Sequence, residues 1–178
     1  MRIGNRGLIV GVVLVVGLAG ACSTGGGGGG GARGELINLS ACPAGLDTDA
    51  LAAEAVPLVN QQRTSAGVAA LAVDPVLTQV AQDFAEQMIA EGFATHENPV
   101  TGERVGDRLN SAGYVWTSAG ENLNFGQCTA SQSVNEWVDS SAHRDILMNP
   151  IYTETGMGLA QGGPERMYWV QVFATPAN

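Results

Sequence analysis

Apolar residues recur at helical spacing through the middle of this chain and at alternating positions through its last third. From Asp49 to Ala66, Leu51, Ala55, Leu58 and Val59 share one helical face, and Gly67 is a stop signal. Pro57 lies inside that stretch, so a kink or a restart is expected there. The next helix has a sharper beginning: Asp74 as N-cap and Pro75 at the first helical position, then a buried stripe of Leu77, Val80, Ala81, Phe84 and Met88 up to Gly92. A short helix is expected from Glu103 to Ala112, closed by Gly113. Another runs from Ala130 to Ser141 and buries Val134, Trp137 and Val138, with His143 directly after it.

The period then changes. Thr153 to Gln161 and Met167 to Thr175 are rich in β-branched, aromatic and alternating residues, and Gly162-Gly163-Pro164-Glu165 between them is a turn signal, so the pair reads as an antiparallel hairpin. Helices first and strands clustered late describe an α+β domain with a central antiparallel sheet covered by helices.

The first 41 residues follow different rules. Arg2 and Arg6, an apolar run from Leu8 to Leu18 and the small residues Ala19-Gly20-Ala21 have the form of an export signal over residues 1–21. That run is shorter than the roughly twenty residues a membrane helix needs. Small residues leading into Cys22 resemble the bacterial lipobox, in which the cysteine is lipidated, although Ala19 stands where that pattern has leucine. Ordinary cleavage and plain secretion is the other reading. Ser23, Thr24 and the unbroken run Gly25 to Gly31 cannot pack a core, so residues 22–41 read as a flexible tether with a reach on the order of 25 Å. Residues 42–178, about 137 in all, suffice for one domain.

Charge and cysteines add two constraints. The net charge is −9, and the Lys+Arg total of 8 is entirely arginine. Such a chain lacks the broad basic face that nucleic acid or an anionic membrane surface requires, so contact with the membrane would come through an N-terminal lipid anchor. Three cysteines in an exported chain leave at least one without an internal partner. Cys42 and Cys128 lie within or at the edge of the domain and are expected to form a disulfide, with Cys22 as the odd one.

Only two histidines occur, His96 and His143, each in a polar cluster: Ala94-Thr95-His96-Glu97-Asn98-Pro99 and Ser140-Ser141-Ala142-His143-Arg144-Asp145. Histidine is the usual proton carrier at neutral pH and a common metal ligand, so these mark the candidate chemistry. No His-Glu-x-x-His string and no Gly-x-Ser-x-Gly elbow is present, which argues against a zinc-peptidase helix and a serine-hydrolase nucleophile. Ser140 and Ser141 read as helix-end residues, and Arg144 as a surface charge or a partner of Asp145. Trp116, Trp137 and Trp169 read as core or cleft wall, and Gly126, Gly156 and Gly158 as turn or close-packing positions. The histidines alone are equally compatible with a polar network that locks loops to the sheet.

A set of strings narrows the fold: Leu58-Val59-Asn60-Gln61-Gln62-Arg63, Leu71-Ala72-Val73-Asp74-Pro75-Val76-Leu77, Thr95-His96, Gly120-Glu121-Asn122-Leu123, Trp137 through Leu147, and Tyr152-Thr153-Glu154-Thr155-Gly156-Met157-Gly158. In this order and spacing they resemble the bacterial branch of the CAP superfamily, the SCP-like or cysteine-rich secretory, antigen 5 and pathogenesis-related 1 domains. The resemblance implies an α-β-α sandwich with a central antiparallel sheet, and a cleft holding two histidines and two acids that in several members binds a divalent cation. By matching motifs it puts His96, Glu121 and His143 in that cleft. At the fourth position, where the animal and plant branch has an acid, this chain has Ser140; Glu154 is the substitute acid and Asp139 the reserve, while Asn122 braces backbone beside Glu121.

The favoured functional reading is a monomeric, extracytoplasmic binding module, with a cleft for a small apolar or amphipathic ligand, a lipid among them, or for a divalent cation such as zinc held by His96 and His143. The alternative is a hydrolase, protease or nuclease, using the same residues as acid–base or metal-bound groups.

Overall fold

The computed structural model describes residues 42–162 and 166–177. The expected signal, Cys22 and the glycine tether, together with the hairpin tip at 163–165, lie outside the described residues.

Helix α1 spans Thr48–Ser65, with the Asp47 side chain accepting from the Ala50 N–H as N-cap. It passes through Pro57 without the expected restart. Pro57 is exposed and forfeits only its own backbone donor, while Ala55, Val56 and Val59 anchor both halves in the core. Strand β1 is the two-residue Ala72–Val73, and α2 follows at Pro75–Glu91, where Asp74 accepts from the N–H groups of Val76 and Leu77. A short α3, Val105–Ser111, leads into β2, Trp116–Phe125. The helix expected over 130–141 is in fact two. Ser140 is extended (ψ 119°), ending α4 (Ala130–Asp139) and opening α5 (Ser141–Leu147), so His143 lies within a helix of its own. The hairpin is β3, Glu154–Gly162, and β4, Arg166–Pro176.

The four strands lie in the order β1-β3-β4-β2. The β3–β4 and β4–β2 pairs are antiparallel and β1 joins β3 in parallel, so the sheet is mixed with β2 at one edge. Side chains alternate between faces. Leu123, Val170, Val172 and Ala174 pack with Leu77, Ala81, Phe84 and Met88 of α2 and Leu109 of α3. On the opposite face Met157, Leu159, Trp169 and Phe173 pack with Val59 of α1, Trp137 of α4 and Leu147 of α5. This is the α-β-α sandwich.

Two glycines let α2 lie directly on the sheet. A Cβ on Gly156 would sit 2.1 Å from the Leu77 carbonyl carbon, and one on Gly158 would sit 2.3 Å from that of Ala81. The disulfide forms as expected between Cys42 and Cys128, with S–S 2.01 Å across a sequence separation of 86. It ties the start of the domain to the turn between β2 and α4, where Gly126 takes φ +91°.

Candidate functional site

The edge strand β2 organises the site. Glu121 and Asn122 are consecutive and therefore serve opposite faces. Glu121 pairs in register with Val172 and points to the α2–α3 side, whereas Asn122 pairs with Gln171 and points to the α4–α5 side.

On the first side the Glu121 side chain is only 3% exposed, and both its oxygens are engaged: Oε1 lies 2.9 Å from His96 Nδ1, and Oε2 accepts from Arg108 Nη2 at 2.5 Å. An ionised carboxylate only accepts, so His96 carries its proton on Nδ1 and leaves Nε2 as its open nitrogen. The His96 side chain is 57% exposed, so the imidazole stands at the surface on a buried base. Arg108, on α3, is itself enclosed, with its guanidinium carbon 3.4 Å from the centroid of the Phe84 ring. Burial holds its pKa below the usual guanidinium value, and Glu121 works against that shift.

The loop carrying His96 is fastened by Asn98, which is fully buried. Its Nδ2 donates to Glu91 Oε2, its Oδ1 accepts from the N–H groups of Val100 and Thr101, and its own N–H donates to the Glu103 carbonyl. Arg104 clamps the neighbouring Glu97 through Nε and Nη2.

On the second side Asn122 Nδ2 donates to the His143 carbonyl at 3.0 Å, the backbone bracing expected of it. The other end of α5 is held by Arg63, a fully buried arginine that donates to the carbonyls of Ala69, Leu147, Asn149 and Tyr152. His143 Nδ1 is enclosed and has no partner among the described residues. Its proton affinity is lowered, first by burial and second by the Coulombic effect of His96 when that ring is protonated.

The remaining candidates sit elsewhere. Glu154 accepts from the Tyr114 hydroxyl at 2.5 Å, and burial together with that carboxylate pushes the phenol pKa up; its bond is to Tyr114 and not to either histidine. Asp139 is exposed at the end of α4, and Ser140 marks the break between helices. Arg144 donates to the Val138 carbonyl rather than pairing with Asp145. Trp137 and Trp169 are core, and Trp116 bonds Asn110. An apolar groove of about 650 Å³ lies between α1 and the start of α2, lined by Ala53, Val56, Pro57, Val73 and Met157 among others, and none of the site residues line it.

Arg108 is the member that sequence reasoning missed. Nothing in Val-Gly-Asp-Arg-Leu-Asn marks that arginine as buried; its place on α3 is informative only once β2 is known to pass beneath it.

Comparison with known proteins agrees with this architecture. The family model described as "CAP: Cysteine-rich secretory protein family" matches residues 56–173. The "uncharacterized protein YkwD" of Bacillus subtilis (strain 168) is 31% identical over 118 residues, which is 66% of this chain and 44% of that protein; the chain thus matches less than half of that relative's length. Among solved structures, an outer surface protein from Borrelia burgdorferi superposes with TM-score 0.68 at 20% identity, covering 74% of this chain and 97% of that one. The crystal structure of NaASP2 with Zn²⁺ superposes with TM-score 0.53 at 12% identity, covering 74% and 83%. At those identities the structures speak for the fold, and the family match, running from within α1 to within β4, carries the assignment: the chain belongs to the cysteine-rich secretory protein (CAP) family.

Proposed function

We propose that this protein is an exported, lipid-anchored binding module whose face around His96, Glu121 and His143 takes a small polar or amphipathic ligand without chemical turnover. The observation that carries this is the Arg108–Glu121–His96 chain: a buried carboxylate, neutralised from behind, holds an exposed imidazole in one tautomer with Nε2 outward. Export is supported by the signal-like N-terminus, by the disulfide, and by the outer-surface designation of the Borrelia protein. Lipidation at Cys22 with a glycine leash over residues 22–41 would hold the domain at the outer face of the cell membrane.

The NaASP2 structure is described with Zn²⁺, but a tightly held zinc ion does not fit the donor set here. Among the described residues no three His, Cys, Asp or Glu side chains converge on a metal position, and Glu121 has no oxygen to spare. A hydrolase would draw on the same His96–Glu121 pairing, which orients a general base. That reading requires turnover that Glu121→Gln abolishes while leaving the fold intact.

The test is native mass spectrometry of the protein released gently from its own membrane fraction. A small-molecule mass should accompany the wild type and be lost in His96→Ala, and Cys22 should carry lipid. Identical ligand occupancy in wild type and His96→Ala would refute the site; an unmodified Cys22 would refute the anchor.

A further inference from the structure

We infer that the fold holds one buried water molecule, bound by Asn122 Oδ1, Gln171 Oε1 and Trp137 Nε1 beneath α4, where it joins the edge strand β2 to β4 and to the helix layer. The inference stands apart from the reading of the His96 face as a binding site, because all three side chains lie in the interior.

The two amides face each other. Asn122 and Gln171 are partners in the β2–β4 register, and both are fully buried. Residues directly opposite in an antiparallel pair share a face and have Cβ atoms about 4.5–5.5 Å apart. What each nitrogen does fixes where its oxygen points. Asn122 Nδ2 donates to the His143 carbonyl, and Gln171 Nε2 donates to Thr155 Oγ1, whose own hydroxyl donates to the Val172 carbonyl. Turning Asn122 over would set its oxygen against the His143 carbonyl oxygen, and turning Gln171 over would set its oxygen against a hydroxyl whose proton is already committed. Both nitrogens are thus engaged, and both oxygens are enclosed without a donor among the described residues.

Trp137 brings a donor to the same place. Asn124 Nδ2 donates to the Ser133 carbonyl and Ser133 Oγ donates to Asn124 Oδ1, so Ser133 on α4 stands over Asn124. The chain reverses in the turn between β2 and α4, and α4 runs back along the strand. Four residues on from Ser133 is Trp137, and two back from Asn124 on the same face is Asn122. Those steps advance about 6 Å along the helix and about 7 Å along the strand, which brings the indole level with Asn122. Trp137 is fully buried, and its Nε1 has no partner among the described residues. Two acceptors and one donor are the complement of one water, which gives a hydrogen to each oxygen and accepts from the indole. Buried waters typically make about three such bonds to polar groups that are otherwise unsatisfied. A metal or ammonium cation has no lone pair for the indole N–H, and a larger hydroxyl compound has no way in, since none of the three side chains reaches the surface.

Two measurements on the full chain test this. A crystal structure at a resolution that shows ordered solvent should place one water within about 2.7–3.2 Å of Asn122 Oδ1, Gln171 Oε1 and Trp137 Nε1. In solution, a ¹⁵N-labelled sample should give a cross-peak between the Trp137 indole proton and the water resonance, opposite in sign between laboratory-frame and rotating-frame spectra, as a bound water gives and direct proton exchange does not. Ser133→Ala removes the neighbouring hydroxyl that could relay such a signal, and should keep the cross-peak. A direct bond from the indole to either amide oxygen, an amide turned over, no water between the three atoms, or no cross-peak in the wild type would overturn the proposal. So would a cross-peak that disappears in a folded Ser133→Ala. All but the last are read on the wild-type chain, so a folding defect in the variant does not obscure them. They are also independent of whether a ligand is retained in native mass spectrometry, so the two proposals fail separately.

Discussion

Replacing Arg108 with Met keeps an apolar stem over Phe84 but withdraws the cation from Glu121, whose side chain is 3% exposed. Arg108 is itself only 9% exposed, so neither charge can recover much hydration from solvent. Removing one member of such a pair leaves the other charge buried without its partner, which costs about 3–5 kcal/mol. Glu121 retains His96 as a donor, which places Arg108→Met at the lower end of that range. Glu121→Gln strands the guanidinium and should cost a similar amount. In the double variant both charges are gone and the volumes are roughly kept, so the loss should shrink to within about 1 kcal/mol, giving a coupling energy of about 5 kcal/mol. Urea unfolding of the four proteins at neutral pH measures this, with an unchanged m-value as the sign that the unfolded state has not moved. If Arg108→Met costs less than about 0.5 kcal/mol, or if the two single effects simply add, the pair behaves as an exposed ion pair and the buried base under His96 is an incorrect description.

Further measurements address other parts of the structure. Gly156→Ala puts a methyl 2.1 Å from the α2 backbone, and should destabilise by at least the roughly 1–3 kcal/mol typical of overpacking; a neutral result in thermal or urea unfolding would show that α2 can lift off the sheet freely. Removing the disulfide with Cys42→Ser and Cys128→Ser frees a closed loop spanning 86 positions, worth up to about 4.6 kcal/mol by chain entropy, and a change below about 1 kcal/mol would contradict that account. His143 has a folded pKa below the ordinary imidazole value of 6.5, so the unfolded chain binds the proton more readily. Its contribution to stability is complete above that value and is lost as pH falls through the lowered folded pKa. His143→Gln should flatten that part of the stability–pH curve, and parallel curves for variant and wild type would count against it.

The Asp74-Pro75 start of α2, the apolar stripe behind it and the alternating strands of the hairpin were legible in the sequence because each is a local pattern satisfied by local physics: a cap, a fixed φ, a period of 3.6 or 2. The disulfide was legible from parity and position. Strand β2 was not. Its buried residues include Glu121, Asn122 and Asn124, polar groups that obscure the apolar alternation of a strand and are satisfied only by partners on α3, α4 and α5. The same limit hid the split at Ser140, where packing of α5 against β2 overrides continuation of α4.

For the site, the sequence by itself determined which residues could carry chemistry: two histidines, and the Glu121-Asn122 string between them. Only the tertiary structure decided that Glu121 rests on Arg108, that Glu154 is taken up by Tyr114, and that one imidazole is backed by an acceptor while the other has none among the described residues. The reason is physical. Residue type sets what a group can donate or accept, but its protonation and reach depend on burial and partners that come from distant parts of the chain, and those exist only once the edge strand has met the helices on both its faces.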